Sequence, residues 1–272
     1  MNSFDVLDSS HLDAIYQLCL RCLPDPPTLD ELEAALFAAD QPATVRGDPE
    51  IGLVATVRDA GEGWIRIIGV DPARRRQGIG SALLGAARAD LEGVKSITVG
   101  ADAPYFLYPG VETTQTAMLC LLERHRYQRV SANFNMGVDL TCLPEDPGGW
   151  EVASHAERDE VAQWMSEHWP NWALEALRAL DRSTLVVGRD REGISAFCAY
   201  NVNRRGLLGP IAVRGDLYGK GAGLPVLLGA LHSMRREGRS QSEVVWVGPI
   251  YPYARVGAWV SRVFFVYRKV LR

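Results

Sequence analysis

Residues 65–84, IRIIGVDPARRRQGIGSALL, and residues 208–227, LGPIAVRGDLYGKGAGLPVL, carry one pattern at a constant offset of 143 positions. In each copy an apolar run ends in a valine, Val70 or Val213. Eight residues later comes the first glycine of a Gly-x-Gly turn, Gly78 or Gly221, and a run with helical apolar spacing follows. A chain with two such copies must close two sheets and two cores of the same kind. Its 272 residues are a comfortable length for two domains of ordinary size.

Other elements arrange themselves around the two copies. Before the first, SSHLDAIYQLCLRC (9–22) has helical spacing behind a Ser cap. Thr28 with Glu31 forms a capping box for a second helix. IGLVATVR (51–58) and WIRIIGV (64–70) read as a hairpin around DAGEG. After the motif, the pattern predicts a helix to about Leu91, a strand at 96–100, a helix over 113–127 and a strand over 132–140. CLPEDPGGW holds two prolines and two glycines and is the best linker candidate. The expected division is a first domain at 1–141, a linker at 142–149 and a second domain at 150–272. The second domain restarts with a helix over 155–169, strands at 183–190, 193–201 and 207–213, the Gly-rich turn and its helix. Strands at 244–248 and 263–271 close it.

Composition limits the function classes. Hydrophobic residues make up 47% and charged residues 23%, the balance of a globular protein. The net charge of -4 argues against a nucleic-acid binder, which needs a basic face to displace counterions. MNSFDVLDSSHLD lacks the apolar core of a secretory signal, and no apolar run is long enough to span a membrane. Five scattered cysteines fit a reducing, cytoplasmic setting. Cys19 and Cys22 form a C-x-x-C without the second pair or nearby histidines that zinc would want, so they read as neighbours on a helix face and no metal is expected.

The first Gly-x-Gly turn falls at a helix start, where N–H groups lack partners and the helix dipole is positive. Glycines at 78 and 80 would let an anion reach the backbone, and Arg74, Arg75 and Arg76 add charge. The same letters also describe a solvated basic turn. A P-loop is excluded because no Lys precedes Ser81, and a dinucleotide fingerprint because Leu83 stands where its third glycine belongs. With Arg75-Arg76-Gln77-Gly78-Ile79-Gly80 after a strand ending Val70-Asp71-Pro72, residues 67–84 resemble the acetyl-CoA motif of the GNAT family, the GCN5-related N-acetyltransferases. LLERHRYQRV (121–130) is similar to the L-Y-E-K-x-G-F segment of that family. YGKGAG (218–223) and YARVGA (253–258) resemble the two segments in an eroded second copy.

The resemblance implies an α/β (α+β) fold of two tandem GNAT-like domains, each a mixed, mainly antiparallel sheet flanked by helices. It implies acetyl-CoA as co-substrate and an amine as acceptor. The pyrophosphate would be held by Gln77, Gly78, Ile79, Gly80 and Ser81, with help from Arg75 and Arg76. The pantetheine arm would lie along Ile68, Gly69 and Val70, in a split between strands 64–70 and 96–100. The Tyr that serves the family as acid is Leu122 in the first copy and Tyr253 in the second. Just past the strand at 96–100, GADAPYFLYPGV (100–111) offers Asp102 as a candidate base, and Tyr108 and Tyr253 are candidate acids. Asp102 also reads as a turn carboxylate and Tyr108 as an aromatic lid. His125, Cys120 and the tryptophans 164, 169 and 172 read as packing, and Asp71 as a turn residue. The second domain would wall the acceptor pocket, fix a homodimer, or itself be catalytic. A non-catalytic acyl-CoA sensor is the rival function.

Overall fold

The computed structural model describes residues 4–38 and 40–271. In chain order the first half runs β1 (Asp5–Leu7), α1 (Leu12–Cys22), α2 (Leu29–Phe37), β2 (Thr44–Asp48), β3 (Gly52–Asp59), β4 (Glu62–Val70), α3 (Ile79–Asp90), β5 (Ser96–Val99), β6 (Val111–Glu112), α4 (Thr116–Arg124) and β7 (Gln128–Asp139). The second half runs β8 (Trp150–Val152), α5 (Arg158–His168), α6 (Ala173–Asp181), β9 (Leu185–Asp190), β10 (Gly193–Tyr200), β11 (Leu207–Val213), α7 (Gly223–Arg236), β12 (Gln241–Val244), α8 (Tyr251–Ala254) and β13 (Trp259–Val270). No helix among the described residues is long and apolar enough to cross a membrane.

The chain forms two compact units. Unit 1 holds residues 1–133 and 263–272, and unit 2 holds 134–262. The expected 142–149 linker lies inside unit 2, and the division falls instead within β7 and β13. Pairing decides it: the last part of β13 adds antiparallel to β5, Val270 opposite Ser96 and Tyr267 opposite Val99.

Unit 1 has the strand order β1-β2-β3-β4-β5-β13, with β6 also on β13. The sheet is antiparallel except for the parallel pair β4–β5. Leu83, Leu84 and Ala87 of α3 cover one face with Ile65, Ile68, Ile97 and Tyr267. Ile15 and Leu18 of α1 and Leu32 and Leu36 of α2 cover the other with Leu53 and Ile67. β1 and β2 were not expected from the sequence, and the turn before α1 is capped by Asp8, not Ser9. The Thr28–Glu31 capping box is present.

Unit 2 repeats the layout with the order β7-β12-β11-β10-β9-β8 and one parallel pair, β11–β12. α7 covers one face with Val226, Leu227, Ala230 and Leu231. α5 and α6 cover the other through Val161, Met165, Ala176 and Ala179. α6 follows the Pro170 break and was not expected.

Candidate active site

In unit 1, β4 and β5 run in parallel register from Gly63–Ile97 to Ile65–Val99. The last bond between them is Gly100 N–H to the Ile65 carbonyl, at 2.9 Å. β4 then continues to Val70 paired with β3 alone. The break has a local cause. Thr56 faces Ile65 but Ala55 faces Ile67, so Arg66 is an extra residue, a β-bulge. The bulge shows in the side chains as well. Ile65 and Ile68, three apart, share the α3 face, and Ile67 takes the other. A strand bent at this point leaves its neighbour, and the backbone edge of residues 67–70 borders the opening.

The opening is a cleft lined by Ile67, Ile68, Val99, Tyr108, Gln115 and Met118 among others. Backbone makes part of its wall. A Cβ on Gly100 would sit 2.8 Å from the Gly110 Cα, and one on Gly110 would sit 2.8 Å from the Phe265 carbonyl oxygen. Neither position has room for a side chain.

The basic turn follows β4. Asp71 caps it, accepting from Ala73 N–H at 2.9 Å, and pairs with Arg21 of α1 at 2.6 Å. These contacts hold its carboxyl below the usual range, the Arg21 bond foremost, and Asp71 is a turn residue. Arg75 donates to the carbonyls of Val70 and Cys22, both at 3.2 Å, tying the turn to the strand end and to α1. Arg76 and Gly78 are both left-handed, at φ 63° and 83°, with α3 beginning at Ile79. Such alternation folds successive N–H groups into a hollow that suits an anion. The glycines divide their work differently from expectation. Gly78 is required by its φ, and its missing Cβ faces open space. A Cβ on Gly80 would meet Leu121 Cδ2 of α4 at 2.9 Å, so Gly80 serves packing between helices. Ser81 Oγ lies 2.8 Å from His125 Nε2, which makes His125 a neighbour of the turn.

The candidate catalytic residues fare unequally. Asp102 is 2% exposed and does not line the cleft. It accepts from Arg66 Nε at 2.5 Å, and burial pushes its carboxyl up while Arg66 pulls it back. Arg66 also donates to the carbonyls of Ala35 and Gln41 and to Gln41 Oε1. A carboxylate held this way is a poor base. Tyr108 does line the cleft, and its hydroxyl donates to the Asp25 carbonyl at 2.5 Å. Leu122 is fully buried against the α3 side of the sheet, so the slot expected to hold an acid is a core position here. Tyr253 occupies the matching core of unit 2, and burial raises its hydroxyl well above the ordinary range.

Burial pushes Cys19 up to about 12 and Cys22 up to about 11, which makes both inert thiols. No group of three His, Cys, Asp or Glu among the described residues could hold a metal. Sequence reasoning missed Arg66. An arginine inside the apolar run WIRIIGV was the signal.

Unit 2 has the same split at the repeat's own offset. β11 and β12 pair to Leu208–Val244, and Val245 N–H closes on the Leu208 carbonyl at 3.1 Å. Its surroundings differ. The Val213 carbonyl at the strand end accepts from Trp169 Nε1 at 3.0 Å, with Trp172 stacked on that indole. The helix matching α4 is the single turn α8, whose Tyr253 fills the core with Val256 and Val247.

The comparisons with known proteins agree with this geometry. Residues 13–104 match the sequence model of the acetyltransferase (GNAT) family. No curated protein sequence matches the chain. Among solved structures, the GCN5-related glucosamine N-acetyltransferase region of a fungal multi-domain GH3 β-N-acetylglucosaminidase is 19% identical with a TM-score of 0.78. The match covers 97% of this chain and 38% of that one. A GCN5-related N-acetyltransferase from Sphaerobacter thermophilus is 18% identical with a TM-score of 0.69, covering 98% and 95%. A tandem GNAT protein from the clavulanic acid biosynthesis pathway is 14% identical with a TM-score of 0.72, covering 98% of each chain. Residues 13–104 of unit 1 are thus similar in sequence to the GNAT family, and the chain as a whole has the fold of solved GNAT proteins, a tandem one among them.

Proposed function

We propose that unit 1 binds acetyl-CoA in the β4–β5 cleft and passes its acetyl group to an amine. The observation that carries this reading is the junction of two features. A split that leaves residues 67–70 without a partner strand on the β5 side runs straight into a left-handed, basic turn at the start of α3. The pantetheine arm, which carries amide groups, would pair with that edge as a short extra strand. The diphosphate would accept from the N–H groups of Gln77 to Ser81. Arg75 is already engaged with the strand end and would hold the turn. Arg74 and Arg76, both exposed, would supply charge.

In the reaction the amine lone pair attacks the thioester carbonyl carbon, the C–S bond breaks, and the thiolate leaves. Among the described residues no Asp, Glu or His lines the cleft, so the acceptor would enter as the free amine, with its proton lost to water. Tyr108 is the lining group able to give a proton to the sulfur, and would leave the Asp25 carbonyl to do so; the proton that the acylated nitrogen sheds, carried by water, would restore its hydroxyl. Unit 2 would support the fold without binding cofactor, because the helix matching α4, whose Met118 lines the cleft of unit 1, is there the single turn α8. The lack of a base in the cleft also supports a second reading, an acyl-CoA sensor without turnover.

Calorimetric titration with acetyl-CoA tests the proposal. We expect one site per chain, slower amide exchange at 67–70 on binding, and loss of both effects in Gln115→Trp, which fills the mouth of the cleft. Absence of binding in the wild type overturns the reading, and two sites would give unit 2 a cofactor. Release of free thiol with a panel of amines separates the transferase from the sensor.

A further inference from the structure

Positive charge gathers where the last turns of α3 and α4 meet β13, without acidic partners. Arg124 ends α4, His125 follows, and Arg126 is held left-handed at φ 61°. Lys269 of β13 reaches across and donates from Nζ to the His125 carbonyl at 2.7 Å, with its ammonium 5.6 Å from the Tyr127 ring centroid. Arg88 lies seven residues after Ser81 on α3 and so shares its face. Among the described residues, no carboxylate pairs with Arg88, Arg124, Arg126 or Lys269. The nearest acid in sequence, Glu123, accepts instead from the Tyr267 hydroxyl at 2.9 Å. The cations act on one another: Arg88 and Arg126 lower the Lys269 ammonium after burial has done so, and Lys269, Arg124 and Arg88 likewise lower His125. The Nε2 of His125 is bonded to Ser81 in the first turn of the helix.

In a protein of net charge -4 this concentration of unpaired cations is a local cost that an anion would relieve. The basic turn already accounts for a diphosphate. The second cluster begins one hydrogen bond further on, at His125, so it suits a further phosphate on the same ligand.

We propose that Arg88, Arg124, Arg126 and Lys269 form a second anion subsite, which takes the ribose 3′-phosphate of coenzyme A and selects it over its 3′-dephospho form. The assignment rests on the reading of unit 1 as an acetyl-CoA site. It follows that selection is electrostatic and weakens as salt screens it.

The test is titration of acetyl-CoA and of 3′-dephospho-acetyl-CoA at low and moderate salt. The proteins are the wild type, Arg124→Gln, and the double variant Arg88→Gln with Lys269→Gln. Loss of charge-assisted hydrogen bonds predicts that the wild type binds the dephospho form at least about tenfold more weakly. The double variant should bind both forms equally, at the level of the dephospho form. Arg124→Gln, on an exposed side chain, should narrow the gap even where the double variant fails to fold. Equal wild-type affinity for the two ligands, or a preference that survives Arg124→Gln unchanged, overturns the subsite and leaves the acetyl-CoA reading standing. A wild type that binds neither ligand overturns both.

Discussion

Arg66 shows how one residue can be costly and still fixed. It is buried in an apolar strand, and its charge is tolerated because Asp102 neutralises it and the carbonyls of Ala35 in α2 and Gln41 in the α2–β2 connection take its other N–H groups. Removing one partner of such a pair strands the other. Arg66→Met should lower stability by about 3–5 kcal/mol, and Arg66→Met with Asp102→Leu should recover much of that loss, read from urea midpoints. If Asp102 acted as the base, Asp102→Asn would instead stop turnover and leave stability intact. This pair was not legible in the sequence, since the partners lie 36 positions apart and only the bulge brings them together. Gly80 is a similar case. The motif marks it as glycine, but the reason, Leu121 of α4, belongs to tertiary packing.

At the scale of elements, much was legible, because a strand's alternation and a helix's cap are local. The β3–β4 hairpin, the start of α3, and the same features in β11 and α7 were readable from apolar spacing and turn residues. β1, β2 and α6 were not. The two strands are short and take their place from pairing, and α6 sits behind a break of Pro and Trp.

α6 also carries a titrating group. Glu175 is 4% exposed, its Oε2 has no hydrogen-bond partner, and burial pushes its carboxyl up to about 7 from an ordinary 4.5, with Arg178 opposing. The folded state thus holds a proton that the unfolded chain releases at lower pH. Its contribution is complete below about pH 4.5 and lost as pH rises through about 7, a change of about 3 kcal/mol. Glu175→Gln should remove that dependence, so urea midpoints of wild type and variant should diverge between pH 5 and pH 8, with the variant the more stable at pH 8.

At the scale of the whole molecule, the repeat predicts two domains with a simple cut between them, and the chain forms two compact units of which the first includes the final strand. Sequence punctuation, two prolines and two glycines, marked 142–149, but strand pairing assigns residues 263–272 to unit 1. Phe264 and Tyr267 from that strand are buried at 1% exposure in unit 1. A fragment of residues 1–133 should therefore lack cooperative unfolding by circular dichroism. A synthetic peptide of residues 259–271, added in trans, should restore it, together with any acetyl-CoA binding. A fragment that folds alone would show that the strand is dispensable.

The returning strand also sets an order of events during synthesis. The first unit emerges from the ribosome without its last strand, and must wait while roughly 130 further residues are made, about ten seconds at usual elongation rates. Unit 2 holds nearly all of its own strands by then and can fold ahead of it. The half that is translated first is thus the half that is finished last, and until then the free edge of β5 is open to whatever strand the cell offers.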